Sequence, residues 1–333
     1  MTTYVRQQEI THRIGQAGRF QLKLTDGNVR IRPAEGDEVR LRATFEIDAG
    51  SDAEADRILE EVKLIASSGS SFLEVRGPHD DEPRNLRQAL GLPDGSTLRS
   101  WITGRPRAAL SIEAEIPARS EMRVETVSGD LVAEGMTGEQ RYSSVSGDQY
   151  LTGLAGSVRV ATVSGDATLR AVSGIRLRAE TVSGDLSIIA PRLEELRVST
   201  VSGDLEVEGE PAPNGEHRIE SVSGDLRFGL VGSATFDVRG IATDIHADMP
   251  HRVEGRMDRR RVVIGNGKPT VLFSSMSGDI AVRHPRRVVD APAQAAEQEP
   301  ASSASLEVLR ALERGEIDVE EASRQLAERS SNE

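Results

Sequence analysis

The sequence predicts a mainly β protein, built as a repetitive parallel β-solenoid or β-helix-like stack with a small C-terminal helical hairpin. The tripeptide Ser-Gly-Asp occurs seven times; the spacing is 18 to 21 residues for the first six copies and 54 before the last. Around each copy, apolar and polar residues alternate with the period of a β-strand. A unit this short cannot bury its own apolar face, so successive units must stack. A β-sandwich made of the same units is the alternative fold.

The repeated glycines and aspartates are predicted to be structural turn residues. Glycine adopts backbone angles that other residues avoid, and a turn aspartate accepts hydrogen bonds from nearby amides. Calcium is the alternative, because nonapeptide repeats can bind it. Each unit has only one acidic turn and lacks the Gly-Gly-x-Gly-x-Asp motif, so we expect no metal and no cofactor. The predicted turn residues are Gly129, Asp130, Gly147, Asp148, Gly165, Asp166, Gly184, Asp185, Gly203, Asp204, Gly224, Asp225, Gly278 and Asp279.

The long gap before the last copy contains a degenerate unit at Ala242–Ile245, which brings the expected number of stacked coils to eight. The remaining insertion lies around Arg259–Thr270. Within it, Gly265–Lys268 lacks the spacing of a phosphate-binding loop and is interpreted as a hairpin turn.

One apolar residue precedes every Ser-Gly-Asp. If the alternation seen at Val160 and Thr162 continues into the turn, these residues face outward as an apolar column. We expect such a column to be covered, either by the helix of Ile58 and Val62 or by a second subunit. The alternative is a bulge at each glycine that turns the column into the core. The residues are Val127, Val145, Val163, Val182, Val201, Val222 and Met276.

The first 118 residues are predicted to be a β-meander with one helix and a long loop. Asp26-Gly27 is a hairpin signal, and Asp52 is a plausible N-cap ahead of an apolar stripe that ends at Ile65. The predicted elements are strands Phe20–Leu24, Asn28–Arg32 and Val39–Ile47, a helix over Ser51–Ala66 and a loop over Pro78–Arg107.

After the repeat domain, residues 119–286, the composition predicts a linker over 287–304 and a helical hairpin over 305–329. The hairpin carries an apolar face, and about 25 residues bury too little surface to be stable alone. We therefore expect this face to contact a protein partner or a second copy of the chain. The apolar face consists of Leu306, Leu309, Leu312 and Leu326.

Composition restricts the function. Fifty-four acidic residues against 41 basic ones give a net charge of -13, which argues against nucleic acid and anionic membranes as partners. There is no cysteine, and neither a signal peptide nor a membrane span is visible, so the cytoplasm is the expected location. The arginines around Arg259 and Arg286 are interpreted as a solvated face or as partners of the acidic tail.

No residue pattern predicts catalysis. Ser128 and its equivalents recur without a paired histidine, whereas a catalytic serine is a single strained site. Asp244, His246 and Asp248 could share a strand face, but a polar exposed face is preferred to a metal site. The expected function is therefore a non-enzymatic scaffold. The alternatives are an exported surface adhesin and a carbohydrate-active β-helix enzyme, which would need carboxylates and cations converging in one groove.

The repeated Thr-Val-Ser-Gly-Asp-Leu resembles a bacterial β-strand-repeat family named for putative adhesins, a domain of unknown function. Asn28–Arg32 and Leu110–Pro117 extend the resemblance, which spans about residues 20–285. It implies a β-repeat fold with no established chemistry. The tail around Leu309–Ala322 is similar to short C-terminal helical (SHOCT-like) domains, which implies oligomerisation or docking, and the family setting implies cell-envelope stress signalling.

Overall fold

The computed structural model describes residues 2–78, 108–242, 244–256 and 259–285. This part of the chain is mainly β, as predicted, with one helix, α1 (Asp52–Val62). No helix within it is long and apolar enough to cross a membrane. The predicted linker and helical hairpin, and the predicted loop beyond Pro78, lie outside the described residues.

The strands form two ladders, which we call the first and the second ladder. The first ladder runs in spatial order through β5 (Ile65–Gly69), β6 (Phe72–Arg76), β2 (Arg19–Asp26), β8 (Glu121–Ser128), β10 (Glu139–Ser146), the second halves of β11 (Gln149–Ser164), β12 (Ala167–Ser183) and β13 (Leu186–Ser202), then β15 (His217–Ser223), β21 (Thr270–Ser277), β17 (Ala234–Ala242), β20 (Arg259–Ile264) and β19 (His251–Arg256).

The second ladder contains the strands that follow each turn. It runs through β1 (Thr2–Arg13), β4 (Glu38–Ala49), β7 (Ala108–Pro117), β3 (Asn28–Ala34), β9 (Leu131–Glu134), the first halves of β11, β12 and β13, then β14 (Leu205–Pro211), β16 (Leu226–Leu230), β22 (Ile280–Arg283) and β18 (Ile245–Ala247).

A coil consists of one first-ladder strand, a Ser-Gly-Asp turn and one second-ladder strand. Neighbouring coils pair in parallel, residue for residue, so that equivalent positions stack in columns. In β11, β12 and β13 the chain continues from the second ladder into the next first-ladder strand, and register shifts mark this second corner. The result is a solenoid-like stack rather than a sandwich of antiparallel hairpins.

The core lies between the ladders and is made mostly of aliphatic side chains, with Tyr142 and five phenylalanines fully buried among them. The predicted alternation is confirmed where Val158, Val160 and Thr162 are buried and where Leu205 and Val207 point inward. Ser164, predicted to face inward, is exposed because the strand already bends into the turn there. Burial of these side chains is the main stabilising contribution to the coils, because it removes apolar surface from water.

The predicted hairpin at Asp26-Gly27 is wrong. β2 lies in the first ladder beside β8, and β3 lies in the second ladder beside β9, so the two strands form the first coil of the stack. Gly27 has a φ of 133°, like the repeat glycines. Gly27-Asn28 is therefore a degenerate copy of Gly-Asp.

The last coil does not stack in chain order. β21 pairs with β15 on one side and with β17 on the other, so the coil of β21 and β22 is inserted between two coils that precede it in sequence. The predicted hairpin turn at Gly265–Lys268 is also wrong, because β20 and β21 flank β17 instead of pairing with each other. The antiparallel strands β20 and β19 extend the first ladder beyond β17.

Helix α1 is shorter than predicted. Its N-cap is Ser51 rather than Asp52, because the Ser51 hydroxyl accepts a hydrogen bond from the amide of Glu54. Ile65 belongs to β5 and is partly exposed, so it does not extend the apolar stripe of Ile58. The helix packs on β4 and β1.

Candidate functional site

The repeat glycines form a column in which backbone approaches backbone. All seven have φ between 106° and 139°. A Cβ placed on Gly165 would lie 2.4 Å from the carbonyl oxygen of Gly147, and a Cβ on Gly184 would lie 2.2 Å from that of Gly165. Both the torsion angle and the contact therefore require glycine.

The repeat aspartates form a hydrogen-bonded ladder beside the glycines. In each rung one carboxylate oxygen accepts the backbone N–H of the aspartate in the neighbouring coil, as Asp148 does from Asp166 at 2.9 Å. The amide donors therefore come from the next coil rather than from the aspartate's own turn. The ladder begins at Asn28 and ends at Asp244, with eight bonds of 2.8 to 3.1 Å.

The amide at Asn28 shows what a rung requires. Its Oδ1 accepts a hydrogen bond from the Asp130 backbone amide at 3.0 Å, as a carboxylate oxygen does in the other coils.

Because an amide oxygen can replace the carboxylate, we expect Asp166→Asn to leave the free energy of unfolding nearly unchanged. Asp166→Ala removes the acceptor of the Asp185 amide and should cost about 1–2 kcal/mol. Urea denaturation of both variants measures this; equal losses would show that charge, not the acceptor, matters.

Two groups near the aspartate ladder have shifted pKa values. The Asp225 backbone N–H, with the Arg227 guanidinium at 2.8 Å, lowers the pKa of Asp204. The carboxylate of Asp148 raises the pKa of the Tyr150 hydroxyl, with contributions from the adjacent rungs. The Asp225 amide and the Arg227 guanidinium thus favour the charged form of the Asp204 carboxyl.

The apolar residues before the turns face outward. Val163 is 45% exposed and Met276 is 59% exposed, whereas Val160, three residues before Val163, is 2% exposed. The bulge alternative is therefore wrong. Helix α1 does not cover the column, because it packs on β4 and β1. We call Val127, Val145, Val163, Val182, Val201, Val222 and Met276 the valine stripe. Apart from the half-buried Val127, its members are exposed.

A column of arginines runs parallel to the valine stripe on the same outer face. One arginine occupies the equivalent position of six successive first-ladder strands. Several bind glutamates of the same face, as Arg178 binds Glu180 at 2.6 Å. Arg141 and Arg159 make no ion pair with any residue that the structure describes. We call Arg123, Arg141, Arg159, Arg178, Arg197 and Arg218 the arginine column.

The basic cluster near the C-terminal end of the stack surrounds a buried carboxylate. Asp237 is 2% exposed and accepts from Arg259 at 2.9 and 2.5 Å and from Arg261 at 3.3 Å. The Arg259 guanidinium, more than that of Arg261, lowers the pKa of Asp237. The ion pairs of Arg259 and Arg261 with Asp237 therefore link β20 to β17.

This cluster predicts a pH dependence. A carboxyl whose pKa is lower in the folded state stabilises the protein above its unfolded pKa, about 3.9, and loses this effect as pH falls through the folded value. Asp237→Asn should therefore lower the free energy of unfolding by about 1–2 kcal/mol at pH 7, and the difference from wild type should shrink below about pH 4.

Thermal denaturation at pH 7 and at about pH 3 checks the prediction. The control is Glu254→Gln, which breaks the exposed pair with Arg252 and should change stability by less than about 0.5 kcal/mol at either pH. A pH-independent loss in Asp237→Asn would contradict the electrostatic explanation.

The described part of the chain also has a shallow groove of about 380 Å³ beside the loop at 211–216. Its three carboxylates are ion-paired: Arg197 binds Glu195 at 3.0 Å and Glu216 at 2.6 Å, and Arg192 binds Glu194 at 3.0 Å. The three carboxylates are substantially exposed. A general acid instead needs burial that raises its pKa.

Potential metal ligands do not converge in the described residues, where no group of three or more His, Asp or Glu side chains could hold a metal ion. His246 forms a pair with Asp248 at 2.7 Å. In every repeat turn one aspartate oxygen is already bonded to backbone.

With this geometry in place, comparison with known proteins identifies the family. The family model described as "Toastrack DUF4097" matches residues 107–283, more than half of the chain. The chain belongs to the Toastrack DUF4097 family. The match begins just before β7 and ends with β22, so it contains all seven Ser-Gly-Asp turns of this Toastrack protein.

Several solved bacterial structures are similar to this chain at low identity. They include a "putative cell adhesion protein" from Clostridium sporogenes (11% identity, 84% of this chain, 100% of that chain, TM-score 0.25). Another is a "putative lipid binding protein" from Parabacteroides distasonis (11% identity, 84% of this chain, 96% of that chain, TM-score 0.30). A third is a "putative adhesin" from Bacteroides fragilis (11% identity, 83% of this chain, 97% of that chain, TM-score 0.27). No curated protein matches the chain.

Sequence reasoning missed two features of this surface. The arginine column was visible as an arginine four residues before six of the seven stripe residues, but only the parallel register shows that these residues stack. Asn28 was missed because asparagine replaces the repeat aspartate there. The interaction residues predicted on the hairpin, Leu306, Leu309, Leu312 and Leu326, lie outside the described residues.

Proposed function

We propose that this Toastrack protein is a non-enzymatic interaction scaffold of the cytoplasm that acts in cell-envelope stress signalling and docks through its C-terminal hairpin. The observation that carries the proposal is the outer face of the first ladder. It repeats the same side chains rung after rung, as columns of valine and arginine. A catalytic site needs unlike groups that converge at one point, whereas a repeated surface suits extended contact with a macromolecule.

Affinity capture tests the proposal. The full chain should retain a defined protein partner from the cytoplasm of its source. Leu309→Asp combined with Leu312→Asp should lose that partner, because the predicted apolar face of the hairpin is then charged. The matched control is Glu313→Ala, which should retain it. Identical capture by all three proteins, or no partner at all, would contradict docking through the hairpin.

A surface adhesin is the second candidate, favoured by the names of the similar solved structures. Treatment of intact cells with a protease separates the two. Cleavage of the protein without cell lysis would support an adhesin, and full protection would support the cytoplasmic scaffold.

A carbohydrate-active enzyme is the third candidate, since the groove beside 211–216 contains both arginines and glutamates. Release of reducing sugars from acidic polysaccharides, abolished by Glu195→Gln, would support it. We expect no release, because the carboxylates of the groove are bound to arginines.

A further inference from the structure

The valine stripe is an exposed apolar column without a covering element in the described part of the chain. Five consecutive rungs, from Val145 to Val222, are 44–48% exposed, and the next rung in space is Met276 at 59%. Isolated exposed valines are ordinary on soluble proteins, but a continuous apolar column marks an interaction surface.

We propose that the valine stripe binds the valine stripe of a second copy of this chain. The two stacks lie side by side around a two-fold axis parallel to the stacking direction. This inference deepens the proposed scaffold function by naming one partner and the surface that binds it. It concerns the described repeat domain and does not depend on the hairpin.

Charge complementarity supports this partner and this orientation. Arg159 lies four residues before Val163 on the same strand, so at about 3.3 Å per residue the arginine column lies about 13 Å to one side of the stripe. Asp166 lies in the turn that borders the other side of the stripe. A two-fold axis along the stripe exchanges the two sides. The arginine column of each copy then faces the aspartate column of the other. An antiparallel arrangement would place arginine against arginine and is disfavoured.

The repeat distance supports a second copy as well. Each stripe residue is separated from the next by the spacing of paired strands, about 4.8 Å. A second stack has the same spacing, so every valine of one copy faces a valine of the same rung in the other. Small residues occupy several positions between the arginine column and the stripe, including Ser143, Ala161 and Ser199, and they allow close approach.

The available area suits a weak, concentration-dependent dimer. Seven rungs span about 29 Å along the stack. The straight part of the face, from Arg159 to Ser164, is about 17 Å wide. Their product is roughly 490 Å² per copy, below the ~800 Å² of a standard interface and within the range of weak complexes.

Light scattering over a range of concentrations tests the proposal. The full chain should show the mass of a dimer at high micromolar concentration. Val163→Lys combined with Val182→Lys should stay folded by circular dichroism and show the mass of one chain. The control is Val172→Lys, at a position 68% exposed and outside the stripe, which should dimerise like wild type. A monomeric wild type, or an unchanged mass in the double lysine variant, would overturn the proposal.

A second variant tests the orientation. Arg141→Glu combined with Arg159→Glu reverses two charges that have no ion pair among the described residues, so its effect on folding should be small. It should weaken dimerisation at least tenfold, because the new carboxylates face the partner's aspartates. Unchanged dimerisation would overturn the orientation. The affinity capture described above measures binding of a cytoplasmic partner independently of dimerisation. A wild-type protein that is monomeric but still retains that partner would contradict the dimer and leave the scaffold proposal standing.

Discussion

Gly184→Ala is expected to destabilise the repeat domain by more than about 3 kcal/mol. The new Cβ would lie 2.2 Å from the carbonyl oxygen of Gly165, and the residue would keep a φ of 139°. The neighbouring backbone cannot move away without breaking the stack, because the same turn holds Asp185 in the aspartate ladder. We therefore expect partial or complete unfolding at room temperature.

The matched control for this prediction is Gly36→Ala. Gly36 has no heavy atom within 4 Å of a Cβ position and lies outside the positive φ region. The substitution should change the free energy of unfolding by less than about 1 kcal/mol. Thermal denaturation followed by circular dichroism compares the two. Similar melting temperatures for both variants would show that the turns do not stack as closely as the structure indicates.

Val160→Lys is expected to abolish folding, whereas Val163→Lys is expected to preserve it. Val160 is 2% exposed in the core, and an unpaired ammonium group there has no hydrogen-bond acceptor to replace water. Val163 is 45% exposed, so its lysine remains solvated. The two substitutions are chemically identical and three residues apart.

Far-ultraviolet circular dichroism and urea denaturation of both lysine variants check this second prediction. Val163→Lys should keep a cooperative unfolding transition and Val160→Lys should lack one. The reverse outcome would mean that the glycine introduces a bulge and that the stripe lies inside the core.

The sequence was sufficient to predict the repeated coils, because their physical signals are local. Period-two alternation specifies which side chains face inward, and the glycine at each turn specifies an unusual torsion angle. Val158, Val160, Leu205 and Val207 were assigned correctly for this reason. The stripe was also placed on the correct face, although the expected cover by α1 was wrong.

The errors arose where pairing joins segments that are distant in sequence. Asp26-Gly27 has the local signature of a hairpin, and only the parallel pairing of β2 with β8 makes it a coil turn. The insertion of β21 between β15 and β17 likewise depends on contacts that no local pattern encodes. Asp237 appeared to be an ordinary strand residue until pairing with β20 placed Arg259 and Arg261 around it.

The most direct test of the central claim is disulfide cross-linking of single-cysteine variants, since the chain has no cysteine of its own. In the proposed dimer each rung faces the same rung of the other copy. Val163→Cys should therefore form a disulfide-linked dimer on mild oxidation, and so should Val201→Cys. A mixture of the two should give few mixed dimers, because the residues are two rungs apart. Absence of both same-rung cross-links, or abundant mixed dimers, would contradict the valine stripe as a parallel interface.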